Sequence, residues 1–290
     1  MASVRPLRLT SDLAVEELVA GKADRRVSVC IPARNEAATI APILLRIKRE
    51  LMDAHPLVDE LIVMDHDSTD QTAEVSIECG ATVINASSVL REFGSALGKG
   101  DVLWRSVQAS TGDFIVWLDA DLGSFTPEYV TALLEPLLLD EKVALVRSTY
   151  RRTFHGEGGE GGRVTELTAR PLLKLLFPEL AHIRQPLGGE YAIRREVALA
   201  TAFEIDYGVE MGLLIDISRA FGVDSIVQVD LGARTHRNRP LSELHDQAIQ
   251  VMRAALSRTP ALSVSADEFT RPSINDVADG LAQPITASMT

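Results

Sequence analysis

Three short polar clusters follow apolar stretches in the first half of the 290-residue sequence. They are Arg34-Asn35-Glu36, Asp65-His66-Asp67 and Asp119-Ala120-Asp121. Two carboxylates separated by one residue, on a loop that leaves a buried strand, can hold a hard divalent cation such as Mg²⁺ or Mn²⁺ between protein and phosphate oxygens. Such a cation stabilises a departing diphosphate. Asp119 and Asp121 are therefore candidate residues of a metal-dependent transfer site, although an Asp-X-Asp pattern alone is common by chance.

Two residues outside these clusters could complete such a site. His236 lies in the polar stretch 234–240, and imidazole suits Mn²⁺ better than Ca²⁺. The spacing leaves open whether it is a metal ligand or a structural histidine. Lys99 stands between Gly98 and Gly100 at a predicted helix start, where backbone N–H groups and the amine favour phosphate. A solvated lysine in a flexible loop fits this pattern equally well.

The stretch Gly156–Gly161 formally matches the dinucleotide pattern G-x-G-x-x-G. Its context argues against that function, because the preceding predicted strand ends several residues earlier. Glu157 and Glu160 would also direct negative charge towards a pyrophosphate. A lid or an acceptor loop is the better interpretation, and the adjoining Gly162-Arg163-Val164-Thr165 offers an anion a guanidinium, a hydroxyl and free N–H groups.

The elements that position these residues alternate from Arg26 onwards. Short, continuously apolar strands that alternate with helices predict a parallel sheet covered on both faces, with the chemistry beyond the carboxyl ends of the strands. The predicted strands are Val27–Ile31, Glu60–Met64, Ala81–Ile84, Phe114–Leu118 and Lys142–Ser148, and helices are predicted at Glu36–Leu51, Gln71–Cys79, from Gly98 through Val107 and from Pro127.

The second half has a less regular pattern. Its predicted elements are helices at Val164–Leu176, Val209–Phe221 and Leu241–Leu256, and strands at Glu190–Arg194 and Ser225–Val229. We therefore expect an N-terminal extension over 1–25, a nucleotide-binding α/β half over 26–150, a second half of the same domain over 151–257, and a mobile tail over 258–290.

Composition limits the class of function. A net charge of −12 argues against a nucleic-acid-binding protein. No stretch reaches the roughly 20 apolar residues of a membrane span. The first residues lack the apolar core of a secretory signal, and two cysteines are too few for a disulfide scaffold. We expect a cytoplasmic enzyme that acts on small molecules.

The motifs as a whole resemble a known family. The stretches Pro32–Glu36, Asp65–Asp70 and Asp119–Asp121 resemble the nucleotide-binding half of GT-A glycosyltransferases, which have a Rossmann-like, mostly parallel sheet flanked by helices and a C-terminal acceptor-binding half. The second half is similar to the glucosyl-3-phosphoglycerate synthases, which are retaining enzymes. The similarity rests on Tyr150-Arg151-Arg152, Gly161–Leu173, Gln185–Ala192, Tyr207–Asp216 and His236–Leu241.

The resemblance implies transfer of glucose, most simply from UDP-glucose, to the 2-hydroxyl of 3-phosphoglycerate by a homodimer that uses Mg²⁺ or Mn²⁺. It implies that Asp121, Lys99 and Glu210 are catalytic and that Asp121 and His236 hold the metal. It also implies a donor site and an acceptor site. The donor site would comprise Pro32, Ala33, Arg34, Glu36 and His66 at the nucleoside, Lys99, Asp119, Ala120 and Asp121 towards the ribose, diphosphate and metal, and Leu187, Tyr207 and Glu210 around the transferred sugar. The acceptor site would comprise Gly162, Arg163, Thr165 and Asn238.

Three alternatives remain open at this point. A mannosyl-3-phosphoglycerate synthase would have the same fold and acceptor but use GDP-mannose, and His66 leaves room for it because the family commonly has a serine there. A lipid-linked transferase would be expected to carry membrane helices. A non-catalytic nucleotide-sugar-binding protein would have no need of Asp119, Asp121 and His236.

Overall fold

A computed structural model describes residues 8–9, 13–154, 157–159, 162–235 and 241–259 of the chain. The chain divides into a unit of residues 1–258 and a unit of residues 259–290. The first unit contains every strand and helix described below. In the described residues, no helix combines the length and the apolar character that crossing a membrane requires.

The strands form one sheet. In chain order they are β1 (Arg8–Leu9), β2 (Val27–Ala33), β3 (Glu60–Asp65), β4 (Thr82–Asn85), β5 (Phe114–Trp117), β6 (Leu145–Phe154), β7 (Glu157–Gly159), β8 (Tyr191–Arg194) and β9 (Ile226–Thr235).

The helices connect and cover these strands. They are α1 (Val15–Lys22), α2 (Ile40–Arg46), α3 (Thr72–Glu78), α4 (Lys99–Ala109), α5 (Glu128–Leu139), α6 (Arg170–Leu176), α7 (Arg195–Ala200), α8 (Val209–Phe221) and α9 (Leu241–Leu256). A π-helical turn at Ile47–Asp53 continues α2, and another at Thr165–Ala169 precedes α6. Short 3₁₀ turns lie at Ala86–Ser88, Arg91–Phe93, Pro178–Leu180 and Val223–Ser225.

The sheet order is β1-β9-β6-β8-β5-β2-β3-β4, with β7 paired to β6. The pairs β1–β9, β9–β6, β5–β2, β2–β3 and β3–β4 are parallel, whereas β8 is antiparallel to both β5 and β6. Strands buried on both faces are continuously apolar, which is the pattern of β2, β3 and β5. The predicted fold class, a mostly parallel α/β sheet flanked by helices, is confirmed.

Helices cover both faces of the sheet. On one face α1, α2 and α5 contribute apolar side chains to a core with β2, β3 and β5. On the other face α4, α6, α8 and α9 pack over Trp117, Tyr191 and Ile193. The indole N–H of Trp117 donates to Ser106 Oγ at 2.8 Å, which satisfies the polar atom of this buried ring. The core on this face includes Val209, which precedes Glu210 in α8, and Tyr191 of β8.

The bounds of α8 and α9 match the sequence-based expectation, while other elements differ. The predicted helix Glu36–Leu51 begins only at Ile40, because Asn35 has a φ of 59° and the chain turns at Glu36 before the helix starts. The predicted extension contains α1, whose Leu18 is buried and whose Lys22 Nζ lies 2.8 Å from Asp59 Oδ2. The stretch over α1 is short and weakly amphipathic, so its periodicity gave little signal.

Candidate active site

The polar clusters lie along one edge of the sheet. In β2, β3 and β4 the last residues are in register, since Ala33 pairs with Asp65 and Asp65 with Asn85. Strand β5 runs parallel to β2, so the chain after Trp117 leaves at the same edge. Because carboxyl ends of parallel strands form the usual binding crevice of such sheets, this edge is the candidate active site.

The loops after β2 and β3 hold each other in place. The Oδ1 of Asn35 accepts a hydrogen bond from the backbone N–H of Thr69 at 2.8 Å, and the N–H of Glu36 donates to Thr72 Oγ1 at 2.8 Å. Pro32 and Glu36 are half-buried, and Arg34 is exposed. These bonds fix the backbone of the predicted nucleoside-binding residues while leaving the Arg34 side chain accessible.

His66 is bonded to the loop that leads to α4. Its Nε2 lies 3.0 Å from the carbonyl oxygen of Ala96. A carbonyl only accepts, so Nε2 carries the proton in this contact. The neighbouring Asp67 accepts from Asn85 Nδ2 at 2.8 Å and from Ser87 Oγ at 3.0 Å, and these bonds, led by the one from Asn85, lower the pKa of Asp67. His66 therefore helps to join the end of β3 to the segment that carries Lys99.

Lys99 lies at the centre of a buried group of charges. Its Nζ donates to Asp119 Oδ1 at 2.9 Å and forms an ion pair with Glu210 Oε1 at the same distance, without the alignment of a hydrogen bond. The side chains of Lys99 and Glu210 are only 17% and 4% exposed. Burial lowers the pKa of Lys99, but the carboxylates of Asp119 and Glu210 outweigh burial and hold this pKa well above its ordinary value. Lys99 is not the solvated lysine that the glycine-flanked pattern also allowed.

The glycines beside Lys99 face protein. A Cβ on Gly100 would stand 1.9 Å from the carbonyl oxygen of Glu204, and one on Gly98 would stand 2.6 Å from that of Ile205. The N–H of Asp101 donates to the same Ile205 oxygen at 3.0 Å. The absence of side chains thus lets α4 begin against the loop that precedes α8, which brings Lys99 to Glu210.

Asp119 and Asp121 follow β5 on either side of the buried Ala120. The Asp119 side chain is 25% exposed and contacts Lys99, whereas Asp121 is exposed at the sheet edge. A Cβ on Gly189 would lie 2.3 Å from both carboxylate oxygens of Asp119, so this glycine makes room for the carboxylate. In the described residues no three His, Cys, Asp or Glu side chains form a metal cluster. The carboxylate oxygens of Asp119 and Asp121, two residues apart in the chain, are nevertheless of the donor type that a hard divalent cation takes.

The predicted sugar-binding residues lie around this group. Glu210 is in the first turn of α8, and Tyr207, which is 37% exposed, precedes that helix. Helix α9 holds the Tyr207 loop, since the N–H of Tyr207 donates to Gln250 Oε1 at 3.2 Å and Asp206 pairs with Arg253. Leu187 is half-buried in the turn before β8.

The structure describes three of the four predicted acceptor residues. Arg163 is exposed and Gly162 half-buried at the start of the helical segment that leads into α6. Thr165 is buried, so its hydroxyl is less available than the sequence pattern suggested. Asn238 and the predicted metal ligand His236 lie outside the described residues. The described part of β9 ends at Thr235. Strand β9 is parallel to β6, and β6 and β5 run in the same direction because both are antiparallel to β8. The end of β9 therefore lies at the same sheet edge as the end of β5.

The family follows from comparison with known proteins. Residues 28–198 match the model of glycosyl transferase family 2. The chain is 49% identical over 248 residues to the glucosyl-3-phosphoglycerate synthase of Mycolicibacterium smegmatis, covering 84% of this chain and 81% of that protein. It is 43% identical over 241 residues to the synthase of Petrotoga mobilis, covering 82% and 74%. The chain belongs to the glucosyl-3-phosphoglycerate synthase family.

Solved structures of this family superpose on the fold. The glucosyl-3-phosphoglycerate synthase of Mycobacterium tuberculosis in complex with Mn²⁺, UDP-glucose and phosphoglyceric acid matches with a TM-score of 0.81 and 46% identity, over 90% of this chain and 91% of that one. The complex of the same enzyme with Mn²⁺, UDP and glucosyl-3-phosphoglycerate also gives a TM-score of 0.81 at 46% identity, over 90% of both chains.

Several buried polar residues beside the site were not among the predicted site residues. Arg147 on β6, Gln185 before β8 and Tyr191 on β8 are buried, and each has at least one side-chain atom without a hydrogen-bond partner among the described residues. One of them left a signal in the sequence. Arg147 interrupts the apolar run Val143–Val146, and a charge within a buried strand requires a specific partner.

Replacing Lys99 by Met tests the buried charge group. The change removes the cation that pairs with the buried Glu210 and contacts Asp119, which we expect to destabilise the fold by about 3 kcal/mol at pH 8. A carboxyl that binds its proton more tightly in the folded state stabilises that state at low pH and loses this contribution as the pH rises. The loss should therefore be smaller at pH 5 than at pH 8, measured by denaturant unfolding at both values.

Lys142→Met is the matched control, because Lys142 is exposed on the loop before β6. It should leave stability nearly unchanged at both pH values. An equal loss of stability for Lys99→Met at pH 5 and pH 8 would contradict the assignment of Lys99 as the cation that compensates the buried carboxylate of Glu210.

Proposed function

We propose that this protein transfers glucose from UDP-glucose to the 2-hydroxyl of 3-phosphoglycerate, with retention of configuration and a divalent cation as cofactor. The observation that carries the proposal is the match, over nine-tenths of the chain, to a solved enzyme that holds Mn²⁺, UDP-glucose and phosphoglyceric acid. The Lys99–Asp119–Glu210 group at the carboxyl edge supports it as a built site for a charged donor. The relatives named above are glucosyl enzymes, which favours glucose over the mannose of the alternative.

Asp121 would hold the cation, with His236 as a second candidate ligand. Asp119 precedes Asp121 by two residues in the same loop. Once bound, the cation supplies positive charge to the diphosphate as it leaves. Carboxylates are the ligands that Mg²⁺ and Mn²⁺ prefer, which the exposed Asp121 and the partly exposed Asp119 provide. The ion pair with Lys99 orients the Asp119 carboxylate before any ligand binds.

The environment of Glu210 bears on the stereochemical route. A double displacement needs a carboxylate nucleophile that can approach the far face of the sugar. Glu210 is buried and held at 2.9 Å by Lys99, so its charge is already engaged. We therefore assign it to binding sugar hydroxyls and favour attack on the same face that the diphosphate leaves. Positioning and charge stabilisation then provide most of the rate.

The first test supplies purified protein with 3-phosphoglycerate, Mn²⁺ or Mg²⁺, and UDP-glucose, GDP-glucose or GDP-mannose in parallel. We expect acceptor-dependent release of UDP from UDP-glucose to be fastest and the product to keep the α-configuration by NMR. Asp121→Ala should nearly abolish turnover. Asp224→Ala, exposed before β9 at the opposite sheet edge, should not.

Each other outcome identifies a different error in the proposal. A preference for GDP-mannose would overturn the sugar but keep the acceptor. Binding of UDP-glucose without turnover would support the non-catalytic alternative. No product from 3-phosphoglycerate with any donor, but product from another acceptor, would show that the acceptor is wrong, and wild-type activity of Asp121→Ala would exclude the metal role of Asp121.

Arg163→Ala tests the acceptor site. Arg163 is exposed at the start of a helical segment, where a guanidinium can pair with a phosphate. We expect the KM for 3-phosphoglycerate to rise roughly tenfold or more, with the KM for UDP-glucose unchanged, since a hydrogen bond to a charged group contributes about 1.5–3 kcal/mol. Arg170→Ala, which removes a half-exposed arginine paired with Glu166, is the control. An unchanged acceptor KM would place the phosphate elsewhere.

Two further properties belong to this proposal, namely a homodimeric state and a cytoplasmic location. Both derive from the family resemblance and from the composition. Light scattering of the purified protein should give a molar mass twice the chain mass of 31.5 kDa. A single-chain mass at micromolar concentration would contradict the dimer, and fractionation of the source cells tests the location.

A further inference from the structure

Arg147 is a buried cation in the middle of the sheet. It lies on β6 beside Tyr191 of β8, with which it is paired across the strands, and it has no exposed surface. Burying a guanidinium is unfavourable unless nearby groups compensate for its lost hydration. The groups that Arg147 contacts therefore indicate what this charge does in the fold.

One nitrogen of Arg147 bridges two carbonyl groups of a single turn. Its Nη2 donates to the oxygen of Pro186 at 3.0 Å and to that of Gly188 at 2.9 Å. These carbonyls flank Leu187 on either side. The guanidinium carbon also lies 4.5 Å from the centre of the Tyr191 ring, which fixes the plane of the group. Arg147 thus holds the backbone on both sides of Leu187.

The same turn abuts the charged group of the active site. The N–H of Gly188 donates to the carbonyl of Gln185 at 3.1 Å and closes the turn. The next residue, Gly189, lies so close to Asp119 that a Cβ would stand 2.3 Å from its carboxylate oxygens. The turn that carries Leu187 therefore packs directly against Asp119, which Lys99 holds independently at 2.9 Å.

Tyr191 is within electrostatic range of both Arg147 and the charged group of Lys99, Asp119 and Glu210. Its hydroxyl is buried, and burial raises the pKa of Tyr191, with a further increase from Glu210. Lys99 and Arg147 both act in the opposite direction on this hydroxyl. Two buried cations and the carboxylates of Asp119 and Glu210 therefore all act on the Tyr191 hydroxyl.

We propose that Arg147 is a positioning residue for the donor sugar, which it serves by holding the turn Pro186–Gly188 and, through that turn, Leu187. The inference rests on the proposed function and deepens it, because it distinguishes the sugar from the nucleotide part of the donor. The nucleoside loops after β2 and β3 have their own hydrogen bonds and do not depend on this turn. Loss of Arg147 should therefore weaken binding of the hexose and leave binding of the nucleotide unaffected.

Calorimetric titration of the full chain with UDP and with UDP-glucose, both in the presence of Mn²⁺, measures this difference. For Arg147→Met we expect the Kd of UDP to stay within about twofold of wild type, while the Kd of UDP-glucose rises roughly tenfold, as for loss of a hydrogen bond from a charged group. Arg147→Lys keeps the charge but lacks the planar guanidinium that lies over the Tyr191 ring, so it should recover only part of the UDP-glucose affinity.

Arg194→Met is the matched control. Arg194 lies at the other end of β8 and also donates to backbone carbonyls, those of Val143, Leu137 and Asp140. Its loss should lower the melting temperature without changing the ratio of the two dissociation constants. A purely structural role for Arg147 predicts the same behaviour, so the ratio separates the two roles.

The outcomes are distinct. If both Arg147 variants keep the wild-type ratio of the Kd of UDP-glucose to the Kd of UDP, the inference is overturned. The proposed function would remain intact, because wild type would still bind UDP-glucose. Failure of wild type to bind UDP-glucose would overturn the proposed function and this inference with it. If Arg147→Met does not fold, Arg147→Lys decides by itself, with an increase in the ratio supporting the inference and wild-type values contradicting it.

Discussion

The buried ion pairs of Lys99 with Asp119 and Glu210 connect the parts of this protein that have to act together. Lys99 begins α4, Asp119 follows β5, and Glu210 is in the first turn of α8. Each charge would be costly to bury alone, so the three elements are stabilised only in an arrangement that brings the charges together. Residues carried by α4, by the loop after β5 and by α8 thereby form one site.

Close approach of backbones makes that ion pairing possible. Gly100 and Gly189 both lie where a Cβ would collide, the first with the carbonyl of Glu204 and the second with Asp119. A lysine at the start of α4 would remain distant from Glu210 if α4 could not begin against the loop before α8. At both positions the absence of a side chain allows two parts of the protein to pack closely together.

Buried arginines organise the loops at this end of the molecule in a common way. Arg105 is fully buried in α4, donates to the carbonyl of Gly94 at 2.9 Å and also contacts that of Val89. Arg147 does the same for the turn that carries Leu187. A planar guanidinium has several donors in fixed directions, so one side chain can satisfy carbonyls that an irregular loop leaves without a partner.

The sequence by itself determined the alternation of strands and helices, the fold class and the polar clusters after β2, β3 and β5. Apolar periodicity is a local property, and strand ends place polar residues at an edge whatever the rest of the chain does. The motifs also resemble those of the family to which the chain belongs. Residues such as Lys99, Asp119 and Glu210 could be selected in this way as candidates, and their roles remain proposals.

The tertiary structure decided which of these residues meet. It showed that Gly98 and Gly100 face the loop before α8, that β8 runs against its neighbours, and that Arg147 supports the turn of Leu187. Such contacts join residues far apart in the chain, and their formation depends on packing between whole elements, which no local pattern encodes. For the same reason no local pattern indicated that α1, within the predicted N-terminal extension, packs against the sheet through Leu18.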